Sequence, residues 1–114
     1  MEKYKLYLVQ VGNVRPGKYT EAMKWWKEEA LPNRLTAPWF KSIKAYAGQF
    51  GLGGEYVIEI WNEIESYGAF DQIDDYWDGD SEDKEKRLEI IHRGAEIIEW
   101  GPSRLMGDWP ESAV

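Results

Sequence analysis

The chain has 114 residues, no cysteine and a formal net charge of -7, and it fits one domain of ordinary globular composition, residues 1–114. The negative charge argues against a nucleic-acid partner and against an anionic membrane surface, because both attract basic proteins. The lack of cysteine excludes disulfides and thiolate metal sites, and no apolar run approaches the roughly 20 residues that span a bilayer. Because the N-terminal residues read as a strand rather than as a secretory signal, we expect a cytoplasmic protein.

The first predicted strand covers residues 4–14 and is apolar on both of its faces. Leu6 and Leu8 share one face. The opposite face carries Tyr7, Val9 and Val11. This pattern is typical of a strand in a sheet that is covered on both sides.

A helix is predicted at residues 17–31, after a turn at residues 15–18. Apolar side chains recur there every three or four residues, as on the buried stripe of an amphipathic helix. The stripe consists of Tyr19, Ala22, Met23, Trp26 and Ala30. We expect the helix to end at Pro32 and Asn33, because proline has no N–H for the helical ladder.

Two strands follow at residues 39–50 and 53–63, joined by a Gly-rich turn at residues 51–54. The arrangement predicts a β-hairpin. One face of the second strand carries Tyr56, Ile58 and Ile60. The other face places Glu59 between two apolar neighbours, Val57 and Trp61.

The C-terminal part reads as two helices and a strand. A helix is predicted at residues 63–77, with Ser66 as a candidate cap and an aromatic stripe. A break at residues 78–81 separates it from a second helix at residues 81–99. The apolar stripe of the second helix consists of Leu88, Ile91, Ala95 and Ile98. A short strand at residues 103–109 completes the pattern.

The predicted order, β-α-β-β-α-α-β, is that of an α+β fold of the ferredoxin-like kind. Such a fold has an antiparallel four-stranded sheet with helices on one face. The first strand is apolar on both faces, and the chain has no segment left to cover the second face. A second copy of the chain, packed sheet to sheet about a two-fold axis, is the expected cover. We therefore predict a homodimer.

Two stretches of sequence indicate a family. The first is "VRPGKYTEAMKWW", which resembles the Pro-Gly-Lys helix entry of NIPSNAP-type domains. The second, "EYVIEIWNEIESYGAF", is similar to a strand of the dimeric α+β barrel superfamily that ends in Trp and leads through acidic residues into a helix. The resemblance covers residues 4–109 and extends to the antibiotic-biosynthesis-type monooxygenases. It implies a pocket between sheet and helices in each subunit, often for an aromatic or apolar compound.

The superfamily also includes haem-degrading members, which the resemblance brings into consideration. These use an Asn on the first strand, a Trp on a later helix and a His after it. Asn13, Trp77 and His92 are the counterparts here. Because Asn13 is at the end of its strand and an acidic insertion stretches the Trp-to-His spacing, we do not carry the haem function over.

Glu59 is the leading candidate for an acid–base group. Its face of the strand is turned away from the predicted helices, and Lys44 and Tyr46 of the preceding strand can point to the same side. A carboxylate half desolvated by Trp61 could accept a proton from a phenol or an activated carbon acid. The alternative is a Glu–Lys cross-strand pair at a subunit seam, which contributes little beyond register.

His92 is the single histidine of the chain. It is one residue from the predicted stripe of its helix, at the margin of the buried face, where it could serve as a general base or an axial metal ligand. The alternative, which we favour, is a residue that donates an ordinary hydrogen bond. One histidine without cysteine does not make a His-rich metal site, so no metal is expected.

The acidic segment, residues 71–85, carries the charge excess and partly matches an EF-hand count. Asp83 occupies the position that requires glycine for the sharp turn of the calcium loop. We therefore favour a solvated helix junction over calcium binding.

The tryptophans form two groups. Those on apolar stripes are expected in the core or in a pocket wall: Trp26, Trp61 and Trp77. Those at the ends of elements could be buried by an interface: Trp25, Trp39, Trp100 and Trp109. On the first strand, Tyr7 and Asn13 are further candidates for ligand contact.

Two hypotheses of different class follow. In the first, a homodimer binds a small aromatic or apolar molecule in the sheet–helix pocket and oxidises or isomerises it without a metal or organic cofactor. The polar groups that steer the substrate would be Glu59, Tyr46, Lys44 and His92. In the second, the chain is a ligand-holding or interaction module without catalysis. A haem-binding protein is a third and weaker alternative.

Overall fold

The described part of the chain, residues 5–48 and 56–108 of a computed structural model, contains an antiparallel sheet and a layer of helices. The strands are β1 (Leu6–Val14), β2 (Ser42–Ala47), β3 (Val57–Ile64), β4 (Ile98–Trp100) and β5 (Arg104–Gly107). The helices are α1 (Tyr19–Trp25), α2 (Leu31–Arg34), α3 (Gly68–Asp78) and α4 (Lys84–Ile97). The predicted turn at residues 51–54, the tail and Trp109 lie outside the described residues.

The sheet has the strand order β2-β3-β1-β4, with β5 also paired to β1, and all pairs are antiparallel. This is the predicted ferredoxin-like α+β arrangement. The strand predicted at residues 103–109 is present as β5, and the sheet has one strand more than the four predicted, namely β4. Gly101 and Pro102 separate the two, and a proline cannot donate to the ladder at that point. Residues 98–100, predicted as the end of a helix, form β4.

The first helix continues past Pro32, so the predicted end of that helix was wrong. A π-helical turn, Trp26–Ala30, connects α1 directly to α2. In this turn the N–H of Leu31 donates to the carbonyl of Trp26, five residues back. Pro32 follows this turn and stands at the start of α2, a position where helices tolerate the missing N–H of proline. The extra turn brings Arg34 over the sheet.

The buried sides of the helices agree only in part with the predicted stripes, because Ala22 and Ala30 are buried as predicted but other positions differ. On α1, Trp25 is only 4% exposed, whereas Met23 is 59% exposed. On α4 the buried residues are Arg87, Ile90 and Gly94. The reason is a close approach of α1 and α4, because the Trp25 ring packs on Gly94 and its indole N–H donates to the Ile90 carbonyl at 2.9 Å. The spacing of apolar residues in the sequence cannot predict a buried helix face that includes an arginine and a glycine.

The helices pack on one face of the sheet. The two core clusters of the described residues draw on this helix-facing side only, with Ile58 and Ile64 among their members. The opposite side, which we call the open face, carries Tyr7, Val9, Val11, Glu59 and Trp61. Among residues 5–48 and 56–108, no helix is long and apolar enough to cross a membrane.

Candidate functional site

A cavity of about 270 Å³ lies between the helix-facing side of the sheet and the helices. Its lining comes from β1, α1, the π-helical turn, α2, the segment after it, α3, α4 and β4. The aromatic part of the lining consists of Trp25, Trp39, Phe40, Trp77 and Trp100. Ligand pockets commonly measure roughly 300–1,000 Å³. This cavity is close to the lower end of that range, so its size suits a small compound of one or two rings.

The ionisable side chains in the described lining of the cavity are two arginines, Arg34 and Arg87, and no acidic residue joins them there. The chain as a whole has a net charge of -7, so the positive charge of the cavity lining is opposite in sign to that of the protein. A low-dielectric wall strengthens the field of a fixed cation inside a cavity. The cavity thus favours a ligand with a negative group.

Arg87 is fully engaged in holding the helices together. Its Nη1 donates to both the carbonyl and Oδ1 of Asn33, each at 3.0 Å, and its Nη2 donates to Thr36 Oγ1 at 2.8 Å. Its Nε donates to Asp83 Oδ2 at 3.3 Å. Hydroxyls of Ser81 and Tyr76, followed by the Arg87 charge, hold the pKa of the Asp83 carboxyl below its usual value. The Arg87 charge is therefore already balanced.

Arg34 has a different environment. Its Nη1 donates to Gln10 Oε1 and, at 3.3 Å, to Asn62 Oδ1, and its guanidinium lies 5.6 Å from the Trp26 ring centroid. None of the described carboxylates pairs with it. Although the residue is partly exposed, its guanidinium is packed deeply enough that desolvation lowers the pKa of Arg34 from its ordinary value to about 10.

The buried amide of Asn62 fixes the orientation of this group. Asn62 is fully buried, and its Nδ2 donates to the Leu8 carbonyl at 3.0 Å and to Gln10 Oε1 at 3.2 Å. A carbonyl only accepts, so Nδ2 must face Leu8 and Oδ1 must face Arg34. The two acceptors on the sheet therefore hold one end of the guanidinium in place before any ligand arrives.

Gln10, Arg34 and Asn62 are not among the candidates that the sequence pattern singles out. A signal was present, because Gln10 shares the parity of Leu6 and Leu8. Asn62 likewise shares the parity of Ile58 and Ile60. A polar residue at a core position needs a buried partner. Arg34 was hidden because the helix that carries it was expected to end before it.

Glu59, the leading sequence candidate, lies on the open face and not in the cavity. It is half-buried and accepts a hydrogen bond from Trp61 Nε1 at 2.9 Å. Tyr46 is its cross-strand neighbour, and Lys44 is the neighbour of Trp61. The Lys44 ammonium lies 5.0 Å from the Tyr46 ring centroid. These four residues are neighbours on the open face, and three of them, Tyr46, Glu59 and Trp61, line an open cleft of about 360 Å³.

The other candidates are dispersed. Trp77 lines the cavity, and Trp26 lines a separate groove of about 150 Å³. Tyr7 lies on the open face, with its ring centroid 5.3 Å from that of Trp61. Asn13 is exposed on the same face. These positions place ligand candidates on both sides of the sheet.

The expected location of His92 at the margin of the buried face was wrong. His92 is exposed, because α4 turns Arg87, Ile90 and Gly94 inward, and residue 92 points away from that side. In the acidic segment, as in the rest of the described chain, no group of three or more His, Cys, Asp or Glu side chains is placed to hold a metal ion.

Two tryptophans expected at an interface are instead core residues. Trp25 and Trp39 are 4% and 8% exposed within the single chain. Trp100, expected in the same group, lines the cavity. The high aromatic content is thus explained in large part by the core of the single chain and by the lining of the cavity, rather than by a subunit contact.

Solved structures with this architecture come from several bacteria. A NIPSNAP family protein from Agrobacterium tumefaciens matches with a TM-score of 0.73 and 18% identity, covering 98% of this chain and 92% of that chain. An antibiotic-biosynthesis-monooxygenase-type protein from Bordetella bronchiseptica matches with a TM-score of 0.64 and 10% identity, covering 94% and 97%. The fold is that of the NIPSNAP and antibiotic-biosynthesis-monooxygenase-like proteins. An ethyl tert-butyl ether D family protein from Bacillus halodurans shares it, with a TM-score of 0.62, 8% identity and coverage of 92% and 99%.

Sharing the NIPSNAP-like fold does not determine which side chains line the cavity. No family model and no curated protein matches the sequence. At identities of 8–18%, the likeness concerns the backbone and not the side chains that line a site. The function must therefore be argued from Arg34 and its surroundings.

Proposed function

We propose that the chain binds a small aromatic or otherwise apolar molecule in the cavity between sheet and helices. The observation that supports this most directly is the composition of the lining, in which five aromatic side chains surround about 270 Å³ and polar contacts come from a few fixed groups. A mostly apolar cavity with a small number of convergent polar groups is the usual form of a small-molecule site.

The second part of the proposal is a homodimer through the open face. This face presents Tyr46, which is 48% exposed, together with partly exposed Trp61 and Val11. Aromatic and aliphatic side chains at the centre of a surface, with polar residues around them, are characteristic of protein interfaces. Packing of two such faces would cover the exposed parts of Tyr7 and Val11, whereas Val9 is already buried within the single chain.

Catalysis by the cavity alone is not supported by its described lining, which has no carboxylate or imidazole to move a proton. The oxygenase or isomerase hypothesis therefore depends on the open face, where Glu59 and Tyr46 are cross-strand neighbours and Trp61 orients the carboxylate. In a homodimer, this cleft would be closed by the second subunit and partly dried. Ligand binding in the cavity is the primary function, and proton transfer at the subunit interface formed by the open face is the second candidate.

Isothermal titration calorimetry with cinnamyl alcohol, a neutral aromatic probe, tests the cavity. We expect one molecule bound per chain. Ala37→Leu, which fills the cavity wall, should abolish the heat of binding, whereas Val57→Ala, on the open cleft, should leave it unchanged. Thermal melts of both variants establish that they fold. Loss of binding in Val57→Ala but not in Ala37→Leu would place the ligand on the open face and contradict the proposal.

A further inference from the structure

We infer that the ligand of the cavity is a carboxylic acid with a one- or two-ring apolar body, and that Arg34 binds its carboxylate through Nε and Nη2. This inference rests on the proposed function, since it names the class of ligand that the same cavity takes. It is carried by the hydrogen-bond geometry of Arg34, by the charge balance of the lining and by the position of the aromatic side chains.

The donors of Arg34 are only partly used. A guanidinium has five N–H groups in a fixed plane. The two on Nη1 are directed to Gln10 and Asn62. The remaining three, on Nε and Nη2, have no acceptor among the described residues. In the described structure, every side-chain nitrogen that is fully buried has a hydrogen-bond partner. The unpaired Nε and Nη2 of Arg34 are therefore accessible to a ligand.

The unused donors have the right shape for a carboxylate. Nε and the adjacent N–H of Nη2 are parallel, and this edge of the guanidinium receives the two oxygens of a carboxylate side by side. Gln10 and Asn62 hold the opposite end, so the edge is oriented in advance. Preorganised donors lose less entropy when the ligand binds.

The charge balance of the lining selects a monoanion. Arg87 is paired with Asp83 and donates to Asn33 and Thr36 as well. Arg34 is thus the single unbalanced charge among the described residues of the lining, and one carboxylate would neutralise it. A phosphate monoester, with nearly two negative charges, would leave the cavity with an uncompensated anion.

The desolvation of Arg34 agrees with this geometry. A cation whose pKa is lowered by burial is held in the protein at an energetic cost that an opposite charge relieves. The guanidinium lies 5.6 Å from the Trp26 ring centroid, and Arg34 itself lines the cavity, so a ligand in the cavity can reach the cation. The aromatic rings of the lining would then contact the apolar body of that ligand.

A matched pair of probes tests the inference. Cinnamate and cinnamyl alcohol share the same ring and chain and differ in the charged group. By calorimetry at neutral pH we expect the wild-type protein to bind cinnamate roughly 10- to 100-fold more tightly, as for a charge-assisted hydrogen-bonded pair. In Arg34→Gln this preference should disappear, while affinity for the alcohol changes by no more than about twofold. Arg34→Lys keeps the positive charge but lacks the two parallel N–H donors of the guanidinium, so it should retain only part of the preference.

The possible failures are distinguishable. Equal binding of the two probes to the wild-type protein would overturn the inference and leave the proposed function standing. Binding of neither probe would overturn the proposed function itself. A preference for cinnamate that persists in both Arg34 variants would place the anion elsewhere, and tighter binding of cinnamyl phosphate than of cinnamate would overturn the choice of a carboxylate.

Discussion

Glu59 accepts a hydrogen bond from the indole N–H of Trp61, two residues further along the same strand, at 2.9 Å. Residues at this spacing lie on one face of a sheet, and here it is the open face. The cavity lies on the other side of the sheet, and the charged side chains of its described lining are Arg34 and Arg87. Anion binding and proton transfer, if the protein performs both, therefore use opposite faces of one sheet.

The affinity for cinnamate should fall at alkaline pH. The cinnamate carboxylate is ionised from neutral pH upward, so only the protein titrates in this range. Desolvation lowers the pKa of Arg34 to about 10. Below this pH the guanidinium is charged and the affinity should be constant, and above it the cation is lost and cinnamate binding should weaken. Calorimetry across this range, with cinnamyl alcohol as the control whose affinity does not change, measures the effect.

Replacing Arg87 should destabilise the fold rather than alter ligand preference. Arg87→Met leaves acceptors of Asn33, Thr36 and Asp83 without their donor, and we expect a loss of about 2–4 kcal/mol in the free energy of unfolding. Urea denaturation measures it. Lys86→Met, on the exposed side of the same helix, is the matched control. A loss as small in Arg87→Met as in the control would show that Arg87 does not act as a clamp.

The close approach of α1 and α4 predicts an unusual penalty for alanine in a helix. A Cβ added to Gly94 would lie 2.3 Å from Cζ2 of Trp25. Gly94→Ala should therefore destabilise the protein by about 1–3 kcal/mol, although alanine is the better helix former. Thermal denaturation should show a lower melting temperature than for Glu96→Ala, which changes an exposed residue. A stabilised Gly94→Ala variant would contradict the packing of Trp25 on this glycine.

The proposed homodimer can be tested at the centre of the open face. Val11 is opposite Glu59 in the β1–β3 register. Lysine at this position would place a charge in the contact, so Val11→Lys should sediment as a monomer while Ala95→Lys, on the exposed side of α4, remains a dimer. Analytical ultracentrifugation decides between these states. A wild-type chain that is monomeric at micromolar concentration would refute the dimer.

The sequence predicted the strands better than the helices, for a physical reason. Alternation with a period of two assigns each residue of β1 and β3 to a face without knowledge of the partner strand. The buried side of α4 depends on what α1 places against it, and that is the Trp25 ring on Gly94. The passage of the first helix through Pro32 depends on a π-helical turn, which leaves no clear mark in the sequence.

The candidate site was predicted in part. The grouping of Glu59, Tyr46 and Lys44 on one face follows from strand parity and agrees with the β2–β3 register, and Glu59 and Tyr46 line one cleft. The cavity could not be located in this way, because Arg34 reaches it from a helix whose extent was mispredicted. Gln10 and Asn62 carried the available signal, as polar residues at positions where the strand pattern requires apolar ones.

A crystal structure of the protein with para-bromocinnamate would test the central claim most directly. We predict an anomalous bromine peak inside the cavity between sheet and helices, with the carboxylate within hydrogen-bond distance of Nε and Nη2 of Arg34. A bromine peak in the open cleft beside Glu59 and Trp61, with the cavity free of ligand, would contradict the account.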